Sequence, residues 1–225
     1  MTHTPYPESY YAASANPVPA RPELQGDVEV DVCIIGAGYT GLSTAISLLE
    51  NGFKVAIVEA AKVGFGASGR NGGQIMAGIG HDLEKIRHSV GDKGLKEIFE
   101  ISELGAGIIK ARIARYNIDA DFCHGYGYMG FNSRQAKTLR AWEKDFKSVN
   151  SQHEIRFLGG SEVKQIIGSD AYSSGLLHMG AGHVHSLNLL LGEATALAVI
   201  GPTPQTATMR CMAALSRTWA LMRRS

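Results

Sequence analysis

The residues best suited to chemistry stand in two glycine-rich blocks. The first, Gly36-Ala37-Gly38-Tyr39-Thr40-Gly41, has the spacing G-x-G-x-x-G. In that spacing the first glycine permits a tight turn, the second lets the backbone approach a pyrophosphate, and the third lets a helix pack close to strands. A helix opening there offers free N–H groups and the positive end of its dipole to phosphates. Glu59 follows Gly41 by 18 residues, where a carboxylate accepts hydrogen bonds from ribose hydroxyls and disfavours a 2′-phosphate. The second block, AKVGFGASGRNGGQ over 61–74, has five glycines among fourteen residues. Ser68, Arg70 and Asn71 supply donors there, beside Gly72 and Gly73, which tolerate positive φ and expose amides to an anion. Such a block suits a second pass along a long dinucleotide, beyond its adenosine end. The competing interpretation is a flexible surface loop.

Other residue groups favour plainer roles. His178, His183 and His185 form H-x4-H-x-H, a spacing that could ligate a metal, but polar side chains in a strand-to-helix loop explain them better. Tyr126 and Tyr128 alternate on one strand face and either line a pocket or pack on the sheet. Cys33 lies within an apolar strand and is expected to be a small buried residue. No G-x-S-x-G elbow anchors a hydrolase triad. Lys137, Arg140, Lys144 and Lys147 fit a solvated helix face better than a nucleic-acid patch. No catalytic side chain and no metal ligand is assigned.

The elements that must position the two blocks are legible around them. VEVDVCIIGAG is a β-branched run ending in glycines, hence a strand and a tight turn. TGLSTAISLLENG places Leu42, Ala45, Ile46 and Leu49 on one helical face and stops at Gly52. FKVAIVE is a second strand, and the three pieces make a βαβ unit with parallel strands. Beyond the second block, HDLEKIRHSV and DKGLKEIFEISELGAGIIKARIARY predict two helices. The second carries Ile98, Ile101, Gly105, Ile108 and Ile109 on a common face. GYGYMGF predicts a strand, a polar helix starts near Ser133, EIRFL is a short strand, and SEVKQII is a helix capped by Ser161. SSGLLHM is a strand, and SLNLLLGEATALAV a helix capped by Ser186.

Composition bounds the class. The chain has 225 residues, 44% hydrophobic and 19% charged, with a net charge of +1, so no bulk charge draws it to nucleic acid or a membrane surface. Its three cysteines, Cys33, Cys123 and Cys211, are scattered, which fits a reducing compartment. The first residues contain no apolar run of a signal peptide, and a cytoplasmic location is expected. All seven prolines lie near the ends, five within Pro5–Pro22 and two at Pro202 and Pro204, so residues 1–27 are expected to be an extended arm whose tyrosines pack on the body.

With both blocks in place, VDVCIIGAGYTGLSTAISLLENGFKVAIVEA followed by GFGASGRNGGQ resembles the D-amino-acid-oxidase-like (glycine/sarcosine oxidase) group of FAD enzymes, over roughly Ser9 to Leu197. The resemblance implies an α/β chain: a Rossmann-type FAD-binding domain with part of an α+β substrate domain. Its implied division is an arm at 1–27, a first FAD-binding segment at 28–120, a partial substrate domain at 121–180, a return to the FAD-binding domain at 181–200, and a tail at 201–225. It implies FAD as the cofactor. Gly36, Gly38, Thr40 and Gly41 would lie at the pyrophosphate, and Glu59 at the adenosine ribose. Ser68, Arg70, Asn71, Gly72 and Gly73 would border the phosphates, ribityl chain and flavin. It also implies oxidation of the C–N bond of a small-molecule amine of the gamma-glutamylputrescine kind, with hydride transfer to flavin N5 and reoxidation by O2. No nucleic-acid or membrane partner is implied.

Two departures qualify this. Ser186 stands where relatives commonly have proline after G-H-x-H. From about Ala198 the likeness stops, and residues 201–225 hold four arginines, three methionines and no acidic residue. A truncated or frameshifted product is therefore expected. An NAD-binding dehydrogenase and an inactive dinucleotide-binding fragment are the alternatives, separated from it by a flavin spectrum and by amine-dependent H2O2 release.

Overall fold

The computed structural model describes residues 5–19, 21, 26–76, 83–148 and 153–200. In chain order its elements are helix α1 (Tyr10–Ala13), strand β1 (Val32–Ile35), helix α2 (Tyr39–Glu50), strand β2 (Val55–Val58) and strand β3 (Gln74–Ile75). Then come helix α3 (Leu83–Arg115), strand β4 (Cys123–Gly130), helix α4 (Ser133–Ser148), strand β5 (Ile155–Gly159), helix α5 (Gly160–Ile167), strand β6 (Ser174–His183) and helix α6 (Ser186–Ile200). The mixed α/β class expected from sequence is the one observed. The expectations for residues 201–225 lie outside the described residues.

The chain divides into two compact units. The first takes the described residues of Met1–Gly72, Arg112–Asp121 and His185–Ser225. Its β1 and β2 pair in parallel, Val32 opposite Val55 through Ile35 opposite Val58, with α2 between them in sequence. The apolar face of α2 presents Leu42, Ala45 and Ile46 to Val55, Ile57, Leu187, Leu190, Leu191, Ala194 and Leu197 in one buried cluster. Burying each large aliphatic side chain stabilises by about 1.5–3 kcal/mol, and a helix as apolar as α6 gains that on most sides. The N-terminal arm packs on this cluster through Tyr6, Tyr11 and Ala15. It is not wholly extended: Ser9 Oγ accepts from the Ala12 amide at 3.1 Å and starts α1.

The second unit comprises Gly73–Ala111 and Phe122–Val184. Strand β6 is its axis, pairing antiparallel with β3, β4 and β5. Helices α3 and α4 bury Leu95, Phe99, Leu139 and Phe146 against Ile155 and Leu176. The two helices expected between residues 81 and 116 form α3, broken where Gly91 takes φ 72° and ψ 177°.

The face that Ile101 and Ile108 share is 70% and 40% exposed at these residues, because the buried side of α3 runs through Leu95 and Phe99. Several local expectations are corrected. Cys33 is exposed, on the face of β1 opposite the side chains that join the cluster. Gly159, not Ser161, precedes α5, with Glu162 Oε2 accepting from its amide at 2.9 Å. The start of α6 is capped by His185, whose Nδ1 accepts from the Asn188 amide at 3.0 Å; the Ser186 hydroxyl is turned elsewhere.

Candidate functional site

In the first unit the two glycine blocks form one structure. Gly36 ends β1 with φ 101°, a conformation that strains any side chain. Its amide donates to Val58 O at 2.7 Å, and no atom lies within 4 Å of where a Cβ would stand, so the turn is open outward. Gly38 precedes α2 without a side-chain cap. The first amides of α2 therefore have no helical acceptors and carry the positive end of the helix dipole. Gly41 is buried, and a Cβ there would stand 2.0 Å from Gly36 O. The close helix–strand approach assigned to this glycine is thus observed.

Glu59 is the clasp. Its Oε2 accepts from the Ala37 amide at 2.8 Å and its Oε1 from the Ala61 amide at 2.9 Å. Sequence reasoning assigned the carboxylate to a ribose and did not anticipate this tie of the first turn to the end of β2. Gly64 adds a second tie, donating to Ala37 O at 2.9 Å. Ser68 adds a third, its Oγ accepting from the Tyr39 amide at 3.2 Å; a Cβ on Gly38 would come within 2.9 Å of that oxygen. The second block is held against the first, and the competing picture of a flexible loop does not describe it.

The rest of that block is ordered by its own backbone. A 3-10 turn covers Ala67–Gly69. Arg70 Nε donates to Gly66 O at 3.1 Å, and Asn71 Nδ2 donates to Ser68 O at 2.7 Å. The Ser186 hydroxyl, released from capping, donates to Asn71 O at 3.0 Å, and Tyr39 Oη donates to Ser186 O at 3.3 Å. Burial pushes the Tyr39 phenol above its ordinary pKa. Thr40, Arg70, Asn71 and Gly72 are exposed.

Gly73 belongs to the second unit. It has φ 67°, and a Cβ would stand 1.9 Å from Val184 O, so strand packing alone already requires glycine there. The structure therefore brings Gly36, Gly38, Thr40, Gly41, Glu59, Ser68, Arg70, Asn71 and Gly72 together in one unit. Tyr39, Gly64 and Ser186 are the contributors that sequence reasoning missed. Gly64 stood in the block as one of five glycines, whereas nothing in the sequence signals the Ser186 contact.

The remaining candidates have separate places. In the second unit His178 is buried with Nδ1 accepting from the Ala181 amide at 3.1 Å, and Tyr128 packs edge-on against Trp142 at 5.5 Å. Burial raises the Tyr128 phenol to about 12, as expected of a residue used for packing. In the first unit His185 caps α6 and meets Tyr11 edge-on at 5.1 Å. No helix among the described residues is long and apolar enough to cross a membrane.

With this geometry in hand, comparison with known proteins is informative. The model of the family described as "FAD dependent oxidoreductase" matches residues 31–201. Gamma-glutamylputrescine oxidoreductase of Escherichia coli is 38% identical over 198 residues, covering 88% of this chain and 46% of that protein. A probable oxidoreductase OrdL of Haemophilus influenzae is 37% identical, covering 86% of this chain and 45% of the relative. Among solved structures, the L-amino acid deaminase of Proteus myxofaciens in complex with anthranilate superimposes with a TM-score of 0.67 at 23% identity, over 84% of this chain and 40% of that one; this likeness concerns the fold. The chain spans just under half the length of the curated relatives it matches.

Proposed function

Because this chain belongs to the FAD-dependent oxidoreductase family, whose cofactor is FAD, we propose that it is the dinucleotide-binding part of an enzyme that oxidises the C–N bond of an amine. The observation that carries the proposal is the clasped pair of glycine blocks, in which Glu59, Gly64 and Ser68 hold the second block on the turn that opens α2. The residues present fit the cofactor. Gly36, Gly38, Thr40 and Gly41 offer an open turn and helix amides for the pyrophosphate. Glu59 keeps a lone pair on each oxygen after accepting its two amide bonds and so can still receive ribose hydroxyls. Ser68, Arg70, Asn71 and Gly72 would border the remainder, with Gly73 next in sequence.

Bound FAD would supply the hydride acceptor for the carbon beside the amine nitrogen and pass the electrons to O2. The chain's own part is to bind and orient, and no side chain described here is given a proton-transfer role. An amine of the gamma-glutamylputrescine kind is the proposed substrate, supported by the name of the 38%-identical relative.

Flavin fluorescence quenching by the purified chain tests the binding. Wild type should quench saturably. Gly38→Val, which crowds Ser68 and the turn, should weaken binding about ten-fold or more, the cost of overpacking by one or two kcal/mol. Absence of quenching, or equal binding by the variant, would sink the assignment. H2O2 release on adding gamma-glutamylputrescine then tests the amine oxidation itself.

A further inference from the structure

Within the first unit the N-terminal arm meets the second glycine block near both of its ends. At one end Tyr6 Oη donates to Val63 O at 2.7 Å, and the Lys62 ammonium stands 5.0 Å from the centre of the Tyr6 ring. Val63 lies between Ala61, whose amide donates to Glu59, and Gly64, whose amide donates to Ala37 O. Tyr6 therefore grips the block where it is clasped to the first turn. Burial first, then the charge of Glu59, push the Tyr6 phenol above its ordinary pKa, so it stays protonated and able to donate.

At the other end the arm reaches the start of α6. His185 Nδ1 accepts from the Asn188 amide, so the proton of the neutral ring is on Nε2, which donates to Ser14 Oγ at 3.1 Å. Ser14 Oγ spends its own hydrogen on Tyr10 O at 2.6 Å. Beside it the Asn16 amide donates to Asn188 Oδ1 at 2.8 Å. Ser186, the residue after His185, holds Asn71 O. Ser68 and Arg70 lie between these two anchors. The arm itself is lightly seated, since α1 buries no residue fully. A surface segment held by a few hydrogen bonds, each of modest net strength, opens more readily than the core beneath it.

We propose that the N-terminal arm is a strap that positions the second glycine block for the dinucleotide, with Tyr6 and Ser14 as its positioning residues. The block is competent to bind only while the strap is seated, and affinity falls by the fraction of time it is not. The ligand in this inference rests on the FAD reading above; the coupling between arm and block does not.

Hydrogen exchange of the full chain without FAD tests the coupling. Tyr6→Phe keeps the ring on the buried cluster and removes one hydrogen bond. It should speed exchange of the Gly64 and Arg70 amides, which donate to Ala37 O and Ala67 O, about five-fold, and leave the Ile46 amide within α2 unchanged. Ser14→Ala, at the other anchor, should act on Arg70 more than on Gly64. Flavin fluorescence quenching then reads retention: both variants should bind FAD about five-fold more weakly, mainly through faster dissociation. Unchanged exchange at Gly64 and Arg70 in Tyr6→Phe overturns the strap, as does an equal acceleration at Ile46, which would mean general loosening. Unchanged FAD affinity in both variants, with a wild type that quenches, overturns it too. A wild type that does not quench while the exchange pattern holds overturns the FAD reading instead and upholds the coupling.

Discussion

His178 shows how much one buried side chain can set. Desolvation first, then the nearby charges of His153 and Lys110, lower its imidazole to about 4, against an ordinary value near 6.5. The folded-state pKa lies below the unfolded one, so between these values the unfolded chain takes up a proton that the folded unit refuses. Stability is therefore fully present above about pH 6.5 and declines as pH falls toward about 4. His178→Asn keeps an acceptor for the Ala181 amide but cannot titrate. Opening free energies of the β6 amides, from hydrogen exchange at pH 7 and pH 5, should fall more in wild type than in this variant. Equal falls would show that other groups carry the acid sensitivity of the strand.

Among elements, the buried pair of Arg112 and Glu193 ties α2 and α6 to the segment Arg112–Asp121 within the first unit. Arg112 Nη1 donates to Ser43 Oγ at 2.9 Å and to Glu193 Oε1 at 3.3 Å, and Nη2 reaches Ser43 O and Ser47 Oγ, both at 3.3 Å. Burial pushes the Glu193 carboxyl up, and Arg112 draws it back. Arg112→Met strands a carboxylate that is 3% exposed, so chemical denaturation should show a loss of about 3–5 kcal/mol. Adding Glu193→Leu should recover much of it, because the stranded charge is then gone; a double variant as unstable as the single one would refute this account. None of this was legible in the sequence. The βαβ unit, its turn and the helix starting at Ser133 were, since period and glycine spacing are local. Contacts between side chains distant in sequence leave no local mark: Arg112 to Glu193, Ser186 to Asn71, and the His185 cap. The exposure of Cys33 was misread for the same reason, because an apolar residue records what it would bury against only through its partner's position. Gly73 is the mixed case, a glycine read as a cofactor neighbour whose absence of a Cβ is already demanded by Val184 O.

At the scale of the whole chain, each unit bears apolar surface of its own. In the second, Ile101, Leu104 and Ile108 stand 70%, 65% and 40% exposed at i, i+3 and i+7, one stripe of α3. In the first, β1 pairs only with β2 among the described residues, which give its other edge no strand partner. On that strand Cys33 is exposed and Ile35 is 70% exposed. An open, apolar strand edge is a template for pairing with another chain, whereas a helical stripe offers burial without backbone bonds. Association should therefore depend more on β1 than on α3. Light scattering coupled to size exclusion should find wild type in species heavier than the 24.1 kDa chain. Ile35→Lys should shift it toward the monomer with little change in unfolding, since the side chain is already solvated. A Leu104→Lys variant, equally exposed and equally charged, is the control for added charge alone. If it disperses the protein as well as Ile35→Lys does, the open edge of β1 is not the determinant.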